Sequence, residues 1–330
     1  MIKLVKANSP INFLLMFFLM FIVWAFKFYY MPTEIEVYDL NNYFLPQFPE
    51  TVFMKYLSAV LAFILYYGFA LVIIKINSNL MIIENAHQAP GILFVLFTGF
   101  FINAQRILPE AIASIFLFIA VIRVFGAYKK HSAMINILDA AILVAISTLL
   151  VHKLVFAIPL IIIVLYIIKP VKFKELIVFL TGVILTYIVA ITIIWLWGDI
   201  ELVYQTAKST IVSEYANYKY TSFNYVVFLP IGLLSLIAII SRFIIGIPKK
   251  ISTRRFQTSI ALILIILSLF FISPFSTNES VVLMFPWLSL LISNVLINAK
   301  KIFVSIIFGG FILSLLFVQV IQIVYYMSLY

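Results

Sequence analysis

Long apolar runs separated by short polar breaks organise this chain from end to end. About eleven runs read as membrane segments, at roughly 11–30, 52–74, 91–103, 111–127, 137–151, 154–168, 175–197, 223–245, 256–272, 280–298 and 302–326. The breaks between them alternate in charge, basic and then acidic. This pattern predicts an all-α, polytopic transmembrane helical bundle, a single integral membrane domain over residues 1–330. The first run, Ile11 to Tyr30, is too long for a signal-peptide core, and no small-residue cleavage site follows it, so it reads as a retained helix.

The third to sixth runs are shorter than the rest, about 13 to 17 residues each, or ~20–25 Å at the helical rise. A bilayer core is roughly 30 Å thick. Lys129, Lys130 and Lys169 hold the inner ends, so two short central helical hairpins are expected to stop beneath the outer surface. The alternative is that these helices tilt less and their corners reach the headgroups. Residues 198–222 place Ile200, Tyr204, Ala207, Ile211, Tyr215 and Tyr218 at steps of three or four. That is an amphipathic helix on the membrane surface, either a strut between two spans or a roof over a cavity. Residues 247–255 form a basic loop. Aromatic residues at run ends, Trp24, Phe28, Tyr29 and Tyr30 first among them, read as interface anchors. Pro109, Pro159, Pro230, Pro274 and Pro286 are expected to start or kink helices.

Composition reinforces the membrane reading: 65% of residues are hydrophobic and 10% charged. A formal charge of +10 raises the question of nucleic acid, but the placement of the charges answers it. With the amino terminus inside, sixteen of the 22 basic residues fall on cytoplasmic segments, among them Lys75, Lys129, Lys130, Lys169, Lys172, Lys174, Lys250, Arg254 and Arg255. Basic residues resist translocation, so the bias predicts a cytoplasmic amino terminus and a periplasmic carboxyl terminus in the inner membrane. Nine of the 12 acids, Glu279 included, fall outside. No basic stripe with interleaved aromatics is left over for nucleic acid. The absence of cysteine excludes disulfides, thiolate catalysis and cysteine metal sites. No nucleotide-binding loop, zinc helix or nucleophile elbow is present.

Three polar groupings could carry chemistry. Glu34, Glu36 and Asp39 lie in the first external loop, where they could activate a sugar hydroxyl as a base, hold a divalent cation, or simply be solvated. Arg106 and Glu110 stand four apart at one outer corner, next to Gln105. They could pair within a helix turn, or Arg106 could bind a lipid phosphate with its planar fork. His152 and Lys153 occupy the next outer corner, as a proton-transfer group and a headgroup contact, or as structural residues. Asp139 sits near the start of a helix, where its charge suits the helix dipole.

Ser9-Pro-Ile-Asn-Phe, Ile107-Leu-Pro-Glu-Ala-Ile-Ala-Ser-Ile-Phe with Arg123 following, and Ile168-Lys-Pro-Val-Lys-Phe-Lys-Glu together resemble a family of polytopic inner-membrane proteins from Bacteroidota. That family has no established activity. A fainter resemblance is to the C-type membrane glycosyltransferases, carried by the first-loop acids, the short mid-chain helices and the external segment after the seventh span. It implies transfer of a sugar from a polyprenyl-phosphate carrier at the periplasmic face. One of Glu34, Glu36 and Asp39 would be the catalytic base, and Arg106, Glu110, His152 and Lys153 would line the substrate site. The expectation is an envelope-building membrane protein in contact with lipid. A scaffold that assembles a membrane-protein partner, or a lipid or solute transporter, is the alternative.

Overall fold

The computed structural model describes residues 11–29, 52–83, 88–99, 105–197, 232–240, 250–272, 278–298 and scattered positions between 309 and 321. Every regular element among them is helical: α1 (Ile11–Tyr29), α2 (Val52–Leu80), α3 (Ala89–Phe97), α4 (Pro109–Phe125), α5 (Met134–Leu150), α6 (Ala157–Ile168), α7 (Phe173–Trp197), α8 (Ile251–Ile272) and α9 (Phe285–Asn298). Short 3-10 helices, His152–Phe156 and Asn278–Met284, lead into α6 and α9. Four described segments are long and apolar enough to cross a membrane, Tyr56–Leu80, Phe173–Leu196, Ile251–Phe271 and Glu279–Ile297. In place of the expected third span, 91–103, stands the nine-residue helix α3, capped at Thr98 and ~14 Å long at the helical rise, while residues 100–103 lie outside the described residues. The expected surface helix at 198–222 lies outside the described residues. Residues 251–255 form the first turn of α8.

Of the five prolines expected to start or kink helices, Pro109, Pro159 and Pro286 lie at helix starts, and Pro230 and Pro274 lie outside the described residues. Pro109 is the first residue of α4, while Pro90, Pro159 and Pro286 fall in the first turns of α3, α6 and α9. A first-turn amide has no intrahelical partner, so proline loses nothing there.

Helix faces separate core from lipid. On α1, Met16, Met20 and Trp24 recur every fourth residue and are buried, while Leu14, Phe18, Phe21 and Ile22 are exposed. Trp24 is therefore a core residue and not an interface anchor: it meets Phe63 and Tyr66 edge-on at 5.6 and 5.8 Å. On α7 most large apolar side chains point outward, including Ile184, Leu185, Ile188 and Trp195. By contrast α9 is buried almost along its whole length. Phe97 of α3 stacks on its Phe285 at 5.9 Å, and Phe118 of α4 lies 5.2 Å from its Trp287.

Small residues and hydroxyls set the closest helix approaches. Ser147 of α5 donates to the Ala113 carbonyl of α4 at 3.0 Å, and Thr148 and Tyr187 join α5 to α7 at 2.7 Å. Gly182 of α7 lies so near α5 that an added Cβ would fall 2.8 Å from that of Ala141. Between helices without a hydrophobic driving force, such small-residue contacts are a main source of cohesion.

The turns gather at two opposite ends. At the basic end Lys169 binds Glu175 at 2.6 Å and donates to the Lys130 carbonyl, while the Glu175 carboxylate accepts from the Lys172 amide. Arg255 donates to the Ile168 carbonyl at 2.7 Å, and Thr253 and Gln257 donate to the carbonyls of Met81 and Ile82. Arg123 pairs with Asp139 at 3.5 Å, so Asp139 has an ionic partner and not only a helix dipole. Positions expected on the cytoplasmic side thus meet at one end. Those expected outside, Arg106, Glu110, Lys153 and Glu279, lie at the other.

Candidate functional site: a buried charged cluster at the far end

Local backbone geometry explains why Arg106 and Glu110 are not partners on one helix turn. Leu108 is extended (φ −117°, ψ 145°) and Pro109 opens α4, so Arg106 precedes the helix and Glu110 sits in its first turn. The Ile107 amide donates to the Ser58 hydroxyl at 3.2 Å, which ties this corner to α2. Ser58 is six residues from the start of α2, ~9 Å along its axis. The corner therefore lies below the end of the longest described helix.

Gln105 is fixed from the other side. Its Nε2 donates to the Thr98 carbonyl at 3.3 Å, and Thr98 in turn accepts the Trp24 indole N–H at 3.1 Å. Across from this corner, the 3-10 helix Asn278–Met284 packs on α4, with the Ser114 hydroxyl reaching the Val282 carbonyl at 3.5 Å. That packing brings Glu279 to Arg106, whose Nη2 lies 3.9 Å from Glu279 Oε1. Glu110 is within electrostatic reach of Glu279, Arg106 and Lys153. Three segments far apart in sequence therefore build one cluster of two carboxylates, a guanidinium and a nearby ammonium.

The acceptors of the cluster are buried and incompletely satisfied, while Arg106 and Lys153 are half-buried. Gln105 is 1% exposed, Glu110 9% and Glu279 7%. Among the described residues, Gln105 Oε1, Arg106 Nε, Glu110 Oε2 and Glu279 Oε1 are buried without a hydrogen-bond partner. An unsatisfied buried polar group costs ~1–3 kcal/mol, and more when it is charged. Buried charges of this kind in membrane proteins mark sites of function more often than of stability.

The expected site residues divide among three outcomes. Arg106 pairs with Glu279, which was not among them, and Glu110 and Lys153 share the same electrostatic neighbourhood. His152 opens a 3-10 helix and sits 3.3 Å, through Nδ1, from the Thr148 carbonyl of the preceding turn. Glu34, Glu36 and Asp39 lie outside the described residues. Among the described residues no three His, Cys, Asp or Glu side chains gather as a metal site.

Sequence reasoning placed Glu279 outside but gave it no role. One signal pointed to it: an isolated acid heading the unbroken apolar run from Val281 to Leu291, save for Ser289 and the starting Pro286. A carboxylate so placed must either reach water or find a cation at depth. No protein-family model, curated protein or solved structure matches this chain. What is established is a helical protein with several membrane-length apolar helices.

Proposed function

We propose that this chain is an inner-membrane protein of cell-envelope construction that acts on a polyprenyl-phosphate-linked sugar at the periplasmic face, in the manner of the C-type glycosyltransferases. The observation that carries the reading is the half-buried Arg106, 3.9 Å from Glu279 and in the electrostatic neighbourhood of Glu110, where the short central helices turn. A planar guanidinium with an unmatched Nε suits an anionic phosphate, which it can grip through two parallel N–H bonds. Its partner Glu279, at 3.9 Å, lies beyond ordinary hydrogen-bond distance, so an incoming phosphate can take its place.

The basic bias of the chain supports an orientation with the Arg106 end outside. In this scheme Arg106 and Lys153 hold the phosphate. One of Glu34, Glu36 and Asp39 takes the proton from the acceptor hydroxyl as the sugar leaves its carrier, and a divalent cation held by these acids could assist. His152 is then a neighbour of the substrate site.

Consumption of a polyprenyl-phosphate hexose by membranes containing the chain tests the proposal. Alanine at Glu34, Glu36 or Asp39 is expected to abolish turnover in at least one case, and Arg106→Gln to raise KM about tenfold or more. Wild-type turnover in all three acid variants, at normal abundance, contradicts the assignment.

A further inference from the structure

We infer that Gln105, Glu110 and Glu279 form a subsite for a polyhydroxylated, uncharged group, the sugar head of the lipid-linked substrate, set beside the phosphate contacts of Arg106 and Lys153. This inference rests on the function proposed above and assigns the acceptor half of the cluster within it.

Three oxygens from two distant segments, Gln105 Oε1, Glu110 Oε2 and Glu279 Oε1, are buried with no donor among the described residues. Among the described residues, the buried donors without a partner are Arg106 Nε and Trp287 Nε1. The ligand must therefore bring several hydrogen-bond donors and at least one acceptor. Hydroxyl groups supply both from the same atom. Bonds from hydroxyls to carboxylates are charge-assisted and among the stronger neutral-ligand contacts.

Charge balance points the same way. Two carboxylates, Glu110 and Glu279, face two cations, Arg106 and Lys153, within one electrostatic neighbourhood. A hydroxyl on the same oxygens leaves that balance unchanged. Gln105 strengthens the case. Its Nε2 is committed to the Thr98 carbonyl, which leaves Oε1 of a 1% exposed side chain with no donor among the described residues. When the phosphate displaces Glu279 from Arg106, that carboxylate becomes free to accept from a sugar hydroxyl as well.

The test compares two probes on the full chain in lipid nanodiscs by native mass spectrometry: a polyprenyl phosphate, and the same carrier bearing one uncharged hexose. Glu110→Gln and Gln105→Met are each expected to weaken binding of the hexose carrier about tenfold or more. Binding of the bare carrier should stay within about twofold for Gln105→Met and should not fall for Glu110→Gln, and Arg106→Gln should weaken both probes. Gln105→Met removes no charge, so it serves if Glu110→Gln fails to fold. Equal losses for both probes, or no loss for either, overturn the sugar subsite and leave the phosphate reading intact. A wild-type chain that binds neither probe overturns both. Thermal stabilisation by sodium chloride but not choline chloride assigns the oxygens to a cation and overturns the inference.

Discussion

Trp24 shows how one side chain reports the packing around it. It is fully buried, its indole N–H donates to Thr98, and its ring meets Phe63 and Tyr66. Trp24→Phe should cost about 1 kcal/mol for the hydrogen bond, and Trp24→Ala about 3–5 kcal/mol for the cavity, both read from melting in detergent. The same logic applies to Glu175, almost wholly buried with Lys169 as its partner at 2.6 Å. Glu175→Gln leaves the Lys169 ammonium buried without a countercharge and should destabilise by about 3–5 kcal/mol. Glu175→Gln with Lys169→Met should recover much of that loss, and a double variant as unstable as the single would show that the pair is not coupled.

At the scale of elements, α5 and α7 approach closely because Gly182 has no side chain to hold them apart. Gly182→Val should push Cβ and Cγ atoms into Ala141 and Leu138, separate the helices and lower the melting temperature, while Gly68→Val, where nothing lies within 4 Å, should be near neutral. Thr148→Val should loosen the same interface by about 1 kcal/mol, since it removes the 2.7 Å contact to Tyr187.

Element boundaries were legible where apolar runs met proline or a charge. The run at 111–127 appears as Pro109–Phe125 and the run at 175–197 as Phe173–Trp197. The run at 91–103 misled, because hydropathy continues through Phe100 and Phe101 while the helix already ends at Thr98. Hydropathy reports what lipid or core will accept, not where the backbone stops turning.

On the scale of the whole molecule, the sorting of turns to two ends was legible from charge alone. Lys130, Lys169 and Arg255 share hydrogen bonds at one end, as their common side predicted, and Arg106 and Glu279 meet at the other. The partner of Arg106 was not legible. Sequence proximity favoured Glu110, and only the packing of the Asn278–Met284 segment against α4 brings Glu279 across some 170 positions. Long-range pairs of single charges leave no local signature. The chain contains no cysteine, so single cysteines can be introduced without a background. Lys129→Cys and Lys172→Cys, both on exposed residues at the basic end, should react with an impermeant maleimide only from the cytoplasmic side of intact membranes. Labelling from the periplasm would invert the orientation on which the proposed function depends.

The central claim is that Arg106, before α4, and Glu279, before α9, act as one unit at the far end. A double-mutant cycle on Arg106→Met and Glu279→Gln, read as unfolding free energy in detergent, addresses it directly. The pair predicts that the double variant departs from the sum of the singles by about 1 kcal/mol or more; additivity within ~0.3–0.5 kcal/mol would contradict it.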